Sequence, residues 1–221
     1  MLGEILCVIL IGYITYIGLT IFAYKHNKSI HGGSNSKLVW YYHHRKYTID
    51  VPPLYLSTYH LQIHDSDFKN LKYFATLDDP VIKQIAEDFD ELCKGKSTYF
   101  RAHCLQAMIQ QNVKYVSDSK RFGLENCWCF PVRTLVTKCG DCEDSALLYA
   151  SIAVNIGLDI ALIYFPTHML VGVKFCEVCA YIPLELTGYM PVNASMKIAV
   201  GGKIVIPEYP SEEFLSRIQR Y

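Results

Sequence analysis

Cys142, His168 and Glu185 are the residues whose types and order could do chemistry together. A thiol attacking a carbonyl needs a base to take its proton, and the base needs a group to orient it. Cys142 stands in Lys138-Cys139-Gly140-Asp141-Cys142-Glu143-Asp144-Ser145-Ala146-Leu147-Leu148, which reads as a loop turning into a helix with the cysteine at the first helical position. A thiol there is a candidate thiolate, because the partial positive charge of a helix N-terminus lowers its pKa. Asp141, Glu143 and Asp144 work against a thiolate, so a protonated His168 must supply the compensating charge. His168 is the only histidine after Cys142. The competing readings are a buried free cysteine and a structural strand histidine.

The surrounding elements must bring these groups together. Asp141 is placed to cap the nucleophile helix, and Glu143 and Asp144 suit the dipole of its first turn. Ala146, Leu147, Ala150, Ile152, Ala153 and Ile156 predict a buried helix that stops at Gly157. Leu158 to Phe165 reads as a buried strand. A second strand opens at Thr167-His168, with Met169, Val171, Val173 and Phe175 on one face. After a turn at Glu177-Val178, Ala180 to Glu185 returns antiparallel and carries Glu185 back beside His168. Upstream, Asp78-Asp79-Pro80 starts a helix with Ile82, Ile85, Ala86, Phe89, Leu92 and Cys93 at helical spacing, ended by Lys94-Gly95. Thr98 is a candidate cap for the next helix, which runs to about Val113 with Cys104, Leu105, Met108 and Ile109 on one face. Cys93 and Cys104 are core thiols by default. Acyl transfer also needs oxyanion donors. The backbone N–H of Cys142 is one; the second is open among Gln110, Gln111, Trp128 and a backbone group.

Gly140-Asp141-Cys142-Glu143-Asp144, His168 within Pro-Thr-His-Met-Leu-Val-Gly-Val, and Glu185 within Tyr-Ile-Pro-Leu-Glu-Leu-Thr together resemble the transglutaminase-like superfamily, in its microbial branch with a Gly-Asp-Cys-x-Asp box. Phe130-Pro131-Val132-Arg133-Thr134-Leu135 is similar to the Pro-x-x-Thr-Leu stretch that precedes that box, and Val113 to Asp118 to the segment ahead of the nucleophile. The resemblance covers roughly Asp79 to Thr187. It implies a papain-like α+β fold, with the nucleophile helix packed on an antiparallel sheet, and Cys142 as nucleophile, His168 as base and Glu185 as third member. Aspartate is the commoner third member, so Glu185 is a departure. The superfamily spans transglutaminases, peptidases, amidases and inactive members, so the resemblance speaks for fold more than for reaction.

The rest of the chain bounds the setting. Its 221 residues are 51% hydrophobic with a formal net charge of zero, which argues against an electrostatic nucleic-acid binder. Ile5 to Tyr24 is an uncharged run long enough to span a membrane. Lys25, Lys28, Lys37, Arg45 and Lys46 follow it, so the positive-inside rule predicts a single-pass anchor with the remaining chain cytoplasmic. Nine cysteines, an odd number, fit a reducing compartment. The expected organisation is an anchor over 1–25, a Gly/Ser-bearing tether over 26–37 and a transglutaminase-like domain over 38–221 with its core at about 79–187. Leu38 to Asp50 is aromatic-rich and extended, and its His43-His44-Arg45-Lys46 cluster reads as a solvated, membrane-proximal face. Near the end, Lys197 to Val200 and Lys203 to Ile206 flank Gly201-Gly202 as a hairpin, and Ser211 to Arg220 reads as a terminal helix.

A different chemistry competes for the same thiol. Cys139-x-x-Cys142 and Cys176-x-x-Cys179 supply four cysteines in a pattern used for zinc. An extended Met169 to Phe175 would put Cys176 roughly 25 Å from His168 at ~3.3 Å per residue. Cys142 therefore cannot both meet His168 and share a zinc ion with Cys176. The sequence thus predicts a membrane-anchored thiol enzyme acting on peptide or amide bonds of a protein or peptide substrate through Cys142, His168 and Glu185. Hydrolysis is favoured over crosslinking, and no cofactor or metal is required. The alternative is a non-catalytic or zinc-stabilised binding module on the same fold.

Overall fold

The apolar run from Val81 to Phe89 forms a helix because Asp79 caps it and Pro80 opens its first turn. The computed structural model describes residues 36–53, 57, 70–124, 127–165, 168–177, 180–188 and 203–208. In chain order they are β1 (Lys37–Tyr42), β2 (Arg45–Asp50), α1 (Leu71–Phe74), α2 (Pro80–Leu92), α3 (Thr98–Asn112), β3 (Lys114–Tyr115), α4 (Asp118–Phe122), α5 (Pro131–Thr137), β4 (Cys139–Gly140), α6 (Cys142–Asn155), β5 (Ile160–Phe165), β6 (His168–Val173), β7 (Ile182–Leu184) and β8 (Lys203–Val205). The mixture is α+β, as expected.

Asp79 caps α2 by accepting the N–H groups of Val81 (2.8 Å) and Ile82 (3.2 Å), and Pro80 occupies the first turn. For α3 the cap is Ser97 rather than Thr98: its hydroxyl reaches the Phe100 N–H at 3.2 Å, placing Thr98 inside the first turn. Both helices pack on α6, which also lies against α5, β5 and β6 and is buried along nearly its whole length. Ser145 and Ser151 are buried with the apolar residues of α6, and the Ser151 hydroxyl donates to the Leu148 carbonyl at 2.9 Å.

The main sheet has the order β7-β6-β5-β8 with every pairing antiparallel. β6 begins opposite the end of β5, with His168 facing Phe165. The returning strand is shorter than expected, Ile182–Leu184 rather than Ala180–Glu185. It lies at the sheet edge, where Pro183, lacking an N–H, is tolerated.

β1 and β2 form a separate hairpin closed by His43-His44 at φ 48° and 62°. Two positive φ values are the signature of a turn that usually takes Asn-Gly. The cluster His43 to Lys46 is exposed, as a solvated face should be. Trp40, fully buried, stacks on Tyr47 and Phe89 and donates its indole N–H to the Cys104 sulfur at 3.3 Å. The free edge of β1 is occupied by α3 side chains acting as a strand would. Asn112 exchanges hydrogen bonds with the backbone of Val39, and Gln111 does so with Tyr41. An edge satisfied in this way is no template for another chain.

The membrane placement expected from the sequence is corrected. No helix among the described residues is long and apolar enough to cross a membrane. The longest of them, α3, has 15 residues, ~22 Å at ~1.5 Å per residue against a hydrocarbon core of ~30 Å. The run Ile5 to Tyr24 and the tether up to Asn35 lie outside the described residues, as do Lys197 to Val200 and the segment 211–220. Neither a single-pass anchor nor a cytoplasmic orientation therefore stands for the described chain. The reading of the nine cysteines as a mark of a reducing compartment also falls, because Cys176 is disulfide-bonded.

Candidate active site

α6 starts where the sequence places it, because Asp141 accepts the Asp144 N–H at 3.4 Å and Gly140 lets the chain turn tightly beneath that turn. A Cβ on Gly140 would lie 2.6 Å from the Asp144 Cβ, so only glycine fits. β4 is held in parallel to β3 by Lys114 N–H to Lys138 O and Val116 N–H to Gly140 O, both 2.9 Å. Cys142 is the first residue of α6 and is 6% exposed.

The thiol does not behave as helix position alone predicts. It donates to the Glu143 carboxylate at 2.8 Å. Burial first, then the negative charges of Glu143 and Asp141, push the Cys142 thiol well up; the Met169 backbone N–H, which bonds the sulfur, acts in the opposite direction. Desolvation and like charge outweigh the dipole here, as they do for any anion moved out of water beside carboxylates.

His168 and Glu185 are placed together. His168 Nε2 lies 2.8 Å from Glu185 Oε2, with the two side chains 23% and 16% exposed. Glu185 Oε1 accepts from the Thr187 N–H (2.7 Å) and hydroxyl (2.5 Å). Burial raises the Glu185 carboxyl, but the hydrogen bonds from His168 and Thr187 outweigh it and hold the group below the usual carboxylate range. Nε2 is thus the ring nitrogen turned to Glu185. His168 directly precedes Met169, the residue whose backbone N–H bonds the Cys142 sulfur. The thiol's own hydrogen bond goes to Glu143.

Neither glutamine considered as a second oxyanion donor is free for that task. Gln110 donates to the Glu185 carbonyl (2.8 Å) and Gln111 to the Tyr41 carbonyl (2.9 Å). Trp128 is buried edge-on against Phe74.

Sequence reasoning missed what lies beneath Cys142. Asp118, Asp141 and Asp144, all buried, bring carboxylate oxygens within 4.8 Å of one another. Asp118 accepts the Cys127 N–H at 2.6 Å, Asp144 accepts the Cys129 N–H at 2.9 Å, and Arg121 pairs with Asp144. Burial and the neighbouring carboxylates push Asp141 up to about 9; burial, against hydrogen bonds from Cys129 and Arg121, carries Asp144 to about 6. An all-oxygen set of this kind suits a proton or a hard divalent cation rather than zinc. The four-thiol zinc set is not assembled: Cys176 is disulfide-bonded and offers no thiolate, Cys139 is half-buried, Cys142 bonds Glu143, and Cys179 lies outside the described residues. Only the acidic residue at the start of a short helix, within Val113 to Asp118, could have hinted at Asp118, and nothing local ties it to α6.

No family model matches the chain, and no curated protein matches it. Among solved structures it is similar to a "Putative Cysteine Protease from Cytophaga hutchinsonii", at 16% identity and a TM-score of 0.41, over 73% of this chain and 59% of that one. The chain thus spans about three fifths of that protein's length. It is also similar to Legionella pneumophila LapG (EGTA-treated), at 16% identity and a TM-score of 0.44, over 69% of this chain and 96% of that one. Likeness at this level carries no argument about chemistry, so function rests on this chain's own residues.

Proposed function

We propose that the chain is a thiol acyl-transfer enzyme acting on peptide or amide bonds, with Cys142 as nucleophile, His168 as base and Glu185 as the group that orients it. The observation that carries the reading is the 2.8 Å bond from His168 Nε2 to Glu185 Oε2, one residue from the Met169 N–H that meets the Cys142 sulfur. In the reaction the thiol leaves Glu143 and passes its proton to His168 Nδ1, and the thiolate adds to the carbonyl carbon. The imidazolium, stabilised by Glu185, then returns the proton to the departing nitrogen, leaving an acyl-thioester on Cys142. Water completes hydrolysis; an amine would complete crosslinking. Hydrolysis is favoured because it needs no second substrate site.

One observation favours the alternative, a non-catalytic binding module: the thiol is bonded to a carboxylate and its pKa is raised. Treatment with 4-nitrophenyl acetate separates the two. The catalytic reading expects a stoichiometric nitrophenolate burst and an acetyl group on Cys142 by mass spectrometry. Absence of the burst, or an adduct equally spread over Cys139 and Cys142, overturns it.

A further inference from the structure

The last rung of the β6–β7 ladder pairs Val171 with Leu184. Continuing that register would set Glu185 opposite Leu170, but β7 ends at Leu184, so the sheet does not hold the Glu185 backbone. Two side chains from α3 do so instead. Gln106 Nε2 and Gln110 Nε2 each donate to the Glu185 carbonyl oxygen at 2.8 Å. A carbonyl has two lone pairs, so both bonds form at once. The residues lie four apart on one helix face, the spacing that lets both reach one atom.

Gln106 is itself oriented. Because its Nε2 faces the carbonyl, its Oε1 faces His103 Nδ1 at 2.9 Å, and that nitrogen must carry the proton. The His103 ring packs against Tyr99 (4.3 Å) and stacks on Phe175 (6.0 Å, 16°), which lies just beyond the end of β6. The chain of contacts thus runs from Phe175 through His103 and Gln106 to the backbone of Glu185. Thr187 fixes one carboxylate oxygen of Glu185, and His168 meets the other.

We propose that Gln106 and Gln110 are positioning residues that fix Glu185, and through it the His168 ring, in the orientation proton transfer from Cys142 requires. The proposal rests on the catalytic reading of Cys142, His168 and Glu185. Neither glutamine touches the reacting atoms. Each holds the Glu185 carbonyl just beyond the end of the short edge strand.

The experiment compares Gln106→Leu, Gln110→Leu and the double variant in the full chain. Two readouts are the 4-nitrophenyl acetate burst rate and the His168 ring Nε2–H resonance by NMR, which reports the bond to Glu185. Each single variant keeps one donor on the carbonyl and should lose less of the burst than the double variant. The double variant should lose the burst about 100-fold, as for a catalytic group misplaced by ~1 Å. Its His168 Nε2–H resonance should move to the position it takes in Glu185→Gln, a change that a merely structural role would not produce. If the leucine pair does not fold, Gln106→Glu with Gln110→Glu keeps the size while presenting acceptors to the carbonyl. A double variant with a wild-type His168 Nε2–H resonance overturns the proposal. A wild-type protein with no burst overturns the catalytic reading instead, and the His168 resonance still decides the positioning role.

Discussion

The two halves of the site are built on opposite electrostatic terms. At the β6–β7 end, His168 and Glu185 sit among matched partners: imidazole against carboxylate, hydroxyl and N–H against the second oxygen, and two amides against the backbone carbonyl. At the start of α6, Cys142 sits above three buried carboxylates and bonds a fourth, with Arg121 as the paired cation. One half is satisfied by matched hydrogen bonds. The other raises the thiol through burial and negative charge. Glu143 and Glu185 are chemically the same group, yet one pushes a thiol pKa up and the other pairs with an imidazole, so position alone decides which way a carboxylate acts.

The largest effect expected is the loss of acylation in Cys142→Ala, roughly 10³-fold or more as for removal of other nucleophiles, with thermal unfolding little changed because the side chain is small. A burst surviving in that variant would move the reaction elsewhere. Next, Glu185→Gln should slow the burst about 10²-fold, the lower range for general base catalysis. Wild-type turnover would remove Glu185 from the site. The same carboxylate-to-amide change on the other side should do the reverse. Glu143→Gln takes away the largest charge raising the thiol after burial. Alkylation of Cys142 by iodoacetamide near neutral pH should then rise about tenfold if the thiol falls by about one pH unit. A slower rate would show that Glu143 assists the thiol rather than restraining it.

The halves should also separate on a pH axis. The Glu185 carboxyl is held low in the folded chain by His168 and Thr187 against burial. A depressed carboxyl contributes stability that is present above its unfolded pKa, about 4.3, and is lost as pH falls through the folded value. The melting-temperature gap between wild type and Glu185→Gln should therefore be open at pH 7 and close under acid. A gap that widens under acid would reverse the sign assigned to Glu185. The smallest effect belongs to neither half. His44→Gly relieves a positive φ in an exposed turn, so it should stabilise the hairpin by about 1 kcal/mol without altering the burst. A change in acylation would tie the hairpin to the site.

The legible parts of the molecule were those written in local pattern. Asp79-Pro80 announced α2, the Gly-Asp-Cys turn announced α6, and the apolar runs around Pro166 gave β5 and β6. The hairpin pattern accounts for Glu185 returning toward His168, but the strand stops at Leu184 and side chains complete the contact. The state of the thiol was not legible in full: the adjacent carboxylates are visible in the chain, but burial is the larger cause and belongs to the folded state. Asp118 and Arg121 were missed because they reach α6 from more than twenty residues upstream, through a fold that no local spacing encodes. Ser97 displaced Thr98 as a cap because two hydroxyls in a row satisfy the same sequence pattern, and only geometry distinguishes them.

The short parallel bridge between β3 and β4 ties together residues far apart in the chain. Its backbone bonds join residues 114 and 116 to 138 and 140 and so gather everything between into one closed loop. That loop carries Asp118 and Arg121 down to the start of α6 and returns through Cys127 and Cys129, whose amides end on Asp118 and Asp144. It is therefore a clasp, fastened at its base by the bridge and at its crown by the buried carboxylates. Parting the bridge would release the floor of the thiol's surroundings while the four-stranded sheet stays intact. Hydrogen exchange should report this as one cooperative unit, with the amides of Lys114, Val116, Cys127 and Cys129 opening at a common free energy below that of the amides in α6.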